Sequence, residues 1–564
     1  MRLSTSILGI LPVVGVLVVL GTPRTAASQP GTVATERKLS STLGMAGIDN
    51  LDEFGGTVCD LGDLDGPGPS VNAIAVGAVN DDDGGGDRGA VYILFLDAAG
   101  AILSQAKISD TAGNFTAVID NVDAFGSAVA FLGDLDGPGP SVGALAVGVA
   151  GDDDGGTDRG AVYIIFLNSA GACLSFQKIS DTVGNFTAIL DNADEFGASL
   201  VGLGDLDGAG PSAAALAVGV AGDDDGGINF GAVYILFLNS AGSTLSHQKI
   251  SKTSGGFTAV LEVADEFGSS VAHLGDLDGP GPSAAALAVG AIGDDDGGSD
   301  RGAVYILFLS SAGGLLSYQK ISDTAGGFTA PLVNLDELGG AVADLGDLDQ
   351  PWGPSVRAMA VGAIGDDDGG AAGSSRGATY IMFLNAAGSV VSYQKISDTA
   401  GGFNGVLDNG DEFGGALAGI GTLSNVGSNV RRTLAVGVSF DDDGGADRGA
   451  VYLLNLKALA VSDAPALPVA RGHVLGNARP NPFNPTTTIP FLLRADGWVE
   501  IGVYDLAGRL VRTLTPGMSV QGEHEVVWDA IDSSGRSLAS GTYFYRMSVD
   551  GQVVGGSRKA ILLK

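Results

Sequence analysis

Between Gly302 and Ser310 the chain reads Ala303-Val304-Tyr305-Ile306-Leu307-Phe308-Leu309, a strand-length run without a charge. A strand that is apolar on both faces has to be covered on both. Working outward, Phe54, Phe125, Phe196, Phe267, Leu338 and Phe413 mark one equivalent position, at spacings of 71, 71, 71, 71 and 75 residues. The chain therefore holds six copies of one unit. Each copy carries four short apolar stretches, in the second copy Ser127 to Leu132, Ala144 to Val149, Gly160 to Leu167 and Gln177 to Ser180. Gly-Pro, Asp-Gly or Gly-Gly turns separate them, which predicts a four-stranded antiparallel meander.

Sheets stacked face to face around an axis cover both faces of such strands, and Ser127, Ala128 and Ala130 in the first stretch suit a crowded centre. The predicted fold is all-β: a six-bladed β-propeller of four-stranded repeats followed by a small Ig-like β-sandwich. No Gln-Lys-Ile-Ser follows the sixth copy's third stretch, Gly449 to Leu456, whereas Arg37-Lys38-Leu39-Ser40 precedes the first full copy. The N-terminal strand is thus expected to complete the last blade; a linear solenoid would leave it unpaired. Each fourth stretch carries one lysine, at Lys38, Lys107, Lys178, Lys249, Lys320 and Lys395. On an outer edge these read as protection against pairing between molecules.

The chain has 564 residues, a formal net charge of −36, 92 Gly and 20 Pro, and a mean hydropathy of +0.28. That is too apolar for a disordered acidic tail. Charge of this sign repels nucleic acid and anionic lipid, leaving cations, basic proteins or neutral glycans as partners. Residues 1–27 read as a cleaved secretory signal, with Arg2, an apolar run from Ile7 to Leu20, and Ala26, Ala27 and Ser28. No other stretch is long enough to span a membrane once it is removed. Cys59 and Cys173 fall at non-equivalent places in two copies, so no disulfide is expected.

Glu266-Phe267-Gly268-Ser269-Ser270-Val271-Ala272, Gly275-Asp276-Leu277-Asp278-Gly279, Ala288-Val289-Gly290 and Gly302-Ala303-Val304-Tyr305 resemble FG-GAP repeats, as in the seven-bladed propeller of integrin α-subunits. The resemblance covers residues 37–456 in six units. It implies calcium in the loop between the first two strands, held by Asp63 and Asp65, Asp134 and Asp136, Asp205 and Asp207, and Asp276 and Asp278. The family's fifth-position ligand is replaced there by Pro67, Pro138, Ala209 or Pro280, and the sixth copy has Gly421-Thr422-Leu423-Ser424 with no acid. Calcium takes about six to eight oxygens, so backbone carbonyls, serine or water would complete the shell. A self-closed turn without metal is the alternative.

A second acidic element is more regular: Asp81-Asp82-Asp83, Asp152-Asp153-Asp154, Asp223-Asp224-Asp225, Asp294-Asp295-Asp296, Asp366-Asp367-Asp368 and Asp441-Asp442-Asp443, each followed by Gly-Gly. Lying between second and third strands, the triplets should share one rim, opposite the other acidic loops. Arg88, Arg159, Arg301, Arg376 and Arg448 follow them closely, and pairing with these arginines competes with bound cations. The third copy has Phe230 instead, so Asp223 and Asp225 are expected to form the most available cation site.

From Val474 to Lys564 the net charge is +1, against −37 for the rest, and no repeat is present. The expected organisation is a signal over 1–27, the propeller over 28–460, a linker over 461–473 and a β-sandwich over 474–564. Pro480-Asn481-Pro482-Phe483-Asn484-Pro485, Val503-Tyr504-Asp505-Leu506-Ala507-Gly508-Arg509, Gly541-Thr542-Tyr543-Phe544-Tyr545 and Lys559-Ala560-Ile561-Leu562-Leu563-Lys564 are similar to type IX secretion (type A) C-terminal sorting domains and to flagellar-hook-cap Ig-like modules. The resemblance implies the type IX machinery as a partner, passage through an outer membrane, and an extracellular or cell-surface location.

His247, His273, His473 and His524 have no counterparts in sister copies, and the two Gly-x-Ser-x-Gly matches, at Ser141 and Ser375, lie in repeat turns. A catalytic pair is usually unique, whereas these carboxylates are copied six times. The reading is a non-enzymatic secreted or surface propeller for adhesion, recognition or envelope architecture, with calcium, and with a surface protein or glycan as ligand. A lectin-like propeller and a calcium-dependent hydrolase are the alternatives.

Overall fold

The computed structural model describes residues 30–563 except 209, 280, 350–354, 424–431, 458–473, 494–496, 507–508, 520–521, 534 and 550–551. The expected signal and linker lie outside the described residues. Within them every regular element is a β-strand, and no helix is long and apolar enough to cross a membrane.

The second copy forms strands Phe125–Gly133, Gly143–Val149, Ala161–Leu167 and Cys173–Ile179, hydrogen-bonded in that order and antiparallel throughout. The fourth strand starts four residues earlier than its apolar core implies, because Leu174 and Ser175 face solvent and blur the pattern. By contrast every residue of Ala303–Leu309 is buried, as a strand covered on both faces requires. Five copies form such four-stranded sheets. The sixth sheet takes Ala416–Ile420, Arg432–Val438 and Ala450–Leu456 from the C-terminal copy and Val33–Ser40 from the N-terminus, with Lys38 opposite Tyr452 and Leu39 opposite Val451.

Neighbouring sheets touch through their first strands, and Phe54–Gly62 of the first sheet also contacts Ala416–Ile420 of the sixth. A glycine pair makes each of these contacts. A Cβ on Gly219 would come within 2.0 Å of the Gly268 carbonyl oxygen, and a Cβ on Gly437 within 2.0 Å of that of Gly55. The Phe54 N–H donates to the Arg448 carbonyl at 3.1 Å, just as the Phe125 N–H donates to that of Arg88 at 2.8 Å. The sixth sheet thus meets the first through the contacts that join first to second. Apolar clusters fill the spaces between sheets; Leu39, Phe54, Tyr92, Ala435 and Leu453 share the one between sixth and first. Val58, Val129, Leu200, Val271, Val342 and Leu417, one per first strand, line two cavities of about 100 and 280 Å³ in common.

The C-terminal segment forms a three-stranded sheet, which includes Thr487–Leu493 and Gly522–Trp528, and a four-stranded sheet of Gly497–Tyr504, Leu510–Ser519, Gly541–Val549 and Gln552–Leu562. Ile489, Phe491 and Trp528 from one and Ile501, Tyr545 and Met547 from the other form a common core. The Pro480–Pro485 motif is fastened to the last strand: Phe483 donates to the Ile561 carbonyl at 2.9 Å, and Asn481 bonds Lys559 and Ile561 at 2.9 and 2.7 Å.

Candidate functional site

The loop between second and third strands folds its aspartates onto itself. Asp81 accepts the Asp83 N–H and Asp82 that of Asp87, both at 3.0 Å, which leaves the first and third carboxylates side by side. Between them sits the fourth-strand lysine. Lys107 Nζ lies 2.7 Å from Asp81 and 2.5 Å from Asp83. Lys38, Lys178, Lys249, Lys320 and Lys395 bridge their triplets in the same way. The ladder register sets this up, because Lys107 is directly opposite Tyr92 on the third strand. Each Nζ also stands 5.2 to 5.5 Å from the centroid of that tyrosine ring. Burial works against the Lys107 charge, but hydrogen bonds to Asp81 and Asp83 outweigh it and hold the ammonium well above its ordinary value. Burial pushes the Tyr234 hydroxyl up to about 12.

Two expectations are corrected here. The lysines are not edge guards; their side chains turn along the sheet to the carboxylates. Nor do the arginines pair with the triplets. Arg88 bonds Asp110 at 2.5 Å and Asn121 at 3.0 Å, and Arg159, Arg301 and Arg376 repeat this with Asp181 and Asn192, Asp323 and Asn334, and Asp398 and Asn409. Beyond the Gly-Gly turn the arginine lies on the limb facing the connection to the next copy, and it ties the two together. In the sixth copy Arg448 bonds Asn50 at 2.7 Å, and Ser41 replaces the aspartate. The third copy changes all three partners together, to Phe230, Lys252 and Val263. Its triplet is no more available than the others: Lys249 lies 2.6 Å from Asp223 and 2.7 Å from Asp225. Despite partial burial, bonds from Lys249 and Ser251 hold the Asp225 carboxyl below the usual carboxylate range.

A carboxylate row that the motif reading overlooked lies beneath the triplets. Asp52, Asp123, Asp194, Asp265, Asp336 and Asp411 are buried, and each accepts the backbone N–H three residues earlier at 2.7 to 2.8 Å. Burial, then the first aspartate of the triplet, pushes Asp52, Asp123, Asp265 and Asp336 up to about 6, and Asp194 and Asp411 up to about 7. The signal was present, since these residues stand two positions before the marker Phe or Leu in every copy. The next position holds Glu53, Glu195, Glu266, Glu337 and Glu412, with Ala124 in the second copy. Burial raises Glu412 to about 7, with Glu337 and Glu53 adding to it, so these groups feel one another across sheets.

At the opposite end, Asp65, Asp136, Asp207 and Asp278 accept hydrogen bonds from Ser70, Ser141, Ser212 and Ser283, which close the turns. Asp63, Asp134, Asp205 and Asp276 precede them by two positions. Burial and the adjacent Asp278 raise Asp276, as expected where two carboxylates meet. Two carboxylates per loop would leave most of a calcium shell to backbone carbonyls, serine or water. Pro280 and Ala209 lie outside the described residues, and within them no group of three or more His, Cys, Asp or Glu gathers as metal ligands.

Both cysteines are free, and burial pushes the Cys173 thiol up to about 11. His247 packs 5.1 Å from the Phe186 ring and His524 stacks 5.2 Å from that of Phe491. His473 lies outside the described residues. Ser141 bonds Asp136 in its turn, and no helix follows either Gly-x-Ser-x-Gly match. Beside the fourth triplet a cleft of about 420 Å³ is lined by Val260, Glu262, Asp295, Asp296, Tyr318 and Lys320, among others.

Residues 491–552 match the FlgD Ig-like domain family. No curated protein matches the chain. Among solved structures it is similar to PorZ, an essential bacterial surface component of the type IX secretion system of Porphyromonas gingivalis, at 13% identity and a TM-score of 0.33. That alignment covers 93% of this chain, which spans only about half (53%) of PorZ. Similarity extends to FlgD of P. aeruginosa, at 29% identity over 14% of this chain and 60% of that one, TM-score 0.12. It extends as well to dimeric latent PorU of P. gingivalis, at 12% identity over 59% of this chain and 31% of that one, TM-score 0.17.

Proposed function

We propose that the protein is a non-enzymatic, six-bladed β-propeller spanning 28–460, held at or released from the cell surface, that presents a rigid acidic rim for adhesion, recognition or envelope architecture. Its module over 474–564 acts as the sorting signal for type IX secretion. One observation carries the non-enzymatic reading: the carboxylate constellation is built six times over, and in each copy the first and third carboxylates are bridged by a lysine. A catalytic acid or base needs a free, singular group matched to its task. Purified protein incubated with esters, glycans and phosphodiesters, with and without calcium, should show no turnover. Turnover abolished by a single substitution would overturn the reading.

Calcium is proposed for the loops carrying Asp63 and Asp65, Asp134 and Asp136, Asp205 and Asp207, and Asp276 and Asp278. At Asp223 and Asp225 it would have to displace Lys249. Calorimetry of calcium into chelated protein should give heat that Asp276→Asn with Asp278→Asn reduces; a silent titration removes the metal. Export is tested by fusing residues 474–564 to a reporter in a bacterium with the type IX system, where the reporter should reach the medium or surface.

A second reading, a lectin-like propeller, is favoured by the half-buried aromatics Phe176, Tyr318 and Tyr393, which occupy one fourth-strand position in three sheets. A glycan array on calcium-loaded protein separates the two.

A further inference from the structure

Five rim loops keep one polar pattern, and the third departs from it. Ile228 stands where sister copies carry Gly86, Thr157, Ser299 or Ala446, Phe230 replaces arginine, Lys252 replaces aspartate or serine, and Val263 replaces asparagine. These positions are neighbours in space. The Ala264 N–H donates to the Ile228 carbonyl at 3.0 Å and the Phe267 N–H to that of Phe230 at 3.1 Å, while a Cβ on Gly226 would touch both Lys252 and Phe230. The polar tie of the sister copies is absent here; Phe230 packs against the neighbouring core, and Lys252 donates to the Ala259 carbonyl at 3.0 Å. What remains on the surface is apolar too: Ile228 and Val263 are 65% and 63% exposed, beside Val260 at 71%, whose counterparts Val118, Ile189 and Val406 are exposed in sister copies as well.

Ile228 and Val263 enlarge an exposed apolar position that sister copies also carry, and a widened exposed apolar patch marks an interaction surface. Six identical rim units would offer a partner six equivalent places; the third copy offers a distinct one. Val260 also forms a wall of the adjoining cleft, whose only lining cation, Lys320, is bound to Asp294 and Asp296, each at 2.7 Å. The exposed carboxylates of Glu262 and Asp295 line that cleft; Lys252 stands at its edge through its bond to the Ala259 carbonyl, and the acids of the lining still outnumber the two cations. Tyr318 lines the same cleft, its ring packed against Phe257 and Tyr305.

We infer that the boundary between third and fourth sheets docks a segment of a protein partner, with apolar side chains covering Ile228, Val260 and Val263 and an arginine or lysine entering the cleft against Glu262 and Asp295. This rests on the recognition reading above and names its partner class.

The test pans a random peptide library displayed on phage against the mature full-length chain, then measures synthetic versions of the selected peptides. Two variants serve: Ile228→Thr/Phe230→Arg/Lys252→Asp/Val263→Asn, which rewrites the third copy in its sisters' residues, and Glu262→Gln/Asp295→Asn in the cleft. Asp120→Asn/Asp153→Asn removes the same charge at the equivalent boundary of the first and second sheets as a control. The selected peptides should join a basic residue to apolar neighbours, bind wild type and control alike, and bind both variants about tenfold more weakly or worse. Absence of such a consensus, or equal binding to every variant, overturns the proposal. So does a self-association of the wild type that the rewritten variant abolishes, since it would assign the patch to a second copy. Glycan binding lost on Glu262→Gln/Asp295→Asn would give the cleft to sugar and overturn it as well. Turnover of a substrate would remove the non-enzymatic reading and leave peptide selection as it stands, so the two failures are distinguishable.

Discussion

A lysine fixed between two carboxylates and against a tyrosine ring is the residue-scale unit on which the rim depends. Removing it exposes the asymmetry of buried ion pairs: the pair adds little net stability, but an orphaned buried charge costs heavily. Lys249→Met leaves Asp223, whose side chain is 3% exposed, beside Asp225 at 36%. We expect a loss of about 2 to 3 kcal/mol, below the full cost of a buried pair because Asp225 is partly solvated. Urea denaturation at pH 7 measures it, and the loss should shrink in acid, where the carboxyls left without Lys249 protonate. The buried row beneath has the opposite pH signature. Asp194 is raised to about 7 in the folded chain, against an ordinary value of 3.8. Its contribution is complete below pH 3.8 and is lost as pH rises through 7. Thermal melts should therefore show stability falling from pH 5 to pH 8, and Asp194→Asn, which keeps the acceptor for the Asp191 N–H, should flatten that slope. A slope unchanged by Asp194→Asn and Asp411→Asn together would refute the assignment.

At the scale of elements, the arginine, aspartate and asparagine that join a triplet loop to the next connection act as one piece. The third copy exchanges all three residues, whereas the sixth keeps arginine and asparagine with Ser41 in place of the aspartate. Arg159→Phe alone leaves Asp181, 8% exposed, without its cation and should cost on the order of 2 kcal/mol. Phe230→Arg alone brings a second cation beside Lys252, and it too should destabilise. Phe230→Arg with Lys252→Asp and Val263→Asn should recover at least wild-type stability, giving a coupling energy of roughly 1 to 3 kcal/mol in a mutant cycle. Additive effects would show that the three residues do not form a unit. The sequence carried the strands because the burial pattern is written in the apolar runs, and Ala303–Leu309 is buried at every position. It did not carry this pairing. Arg88 is five residues from the triplet but bonds Asp110 and Asn121, 22 and 33 residues on, whereas Lys107, 24 residues from Asp83, is its true partner. Proximity along the chain favoured the arginine; the antiparallel register, visible only once strands are paired, places the lysine. The buried aspartates were missed for a related reason. Their motif position was legible, but burial beneath the connection follows from packing between copies.

Across the whole molecule, the proposed propeller requires the six sheets to close into a ring, and one comparison of glycines tests that closure. Gly219 and Gly437 occupy equivalent positions on second strands, and a Cβ on either would come within 2.0 Å of a carbonyl oxygen, Gly268 for the first and Gly55 for the second. The Gly219 contact joins consecutive copies and exists in a rod or a ring alike. The Gly437 contact joins the last sheet to the first, and only a ring has it. Backbone cannot yield as the tip of a side chain does, so overpacking at either site should cost about 2 to 3 kcal/mol. Gly219→Ala and Gly437→Ala are therefore expected to lower the denaturation midpoint equally. In the Gly437→Ala protein, amide exchange should quicken in Phe54–Gly62, far away in sequence, as well as in Arg432–Val438. In an open rod Gly437 would have no neighbour to strike, Gly437→Ala would cost only what a strand glycine costs, and the amides of Phe54–Gly62 would keep their protection. The same measurement bears on Val33–Ser40, whose pairing with Ala450–Leu456 supplies the outer half of that junction. Deleting it strips Lys38 from Asp441 and Asp443 and Leu39 from the shared core, so both sheets should lose protection together.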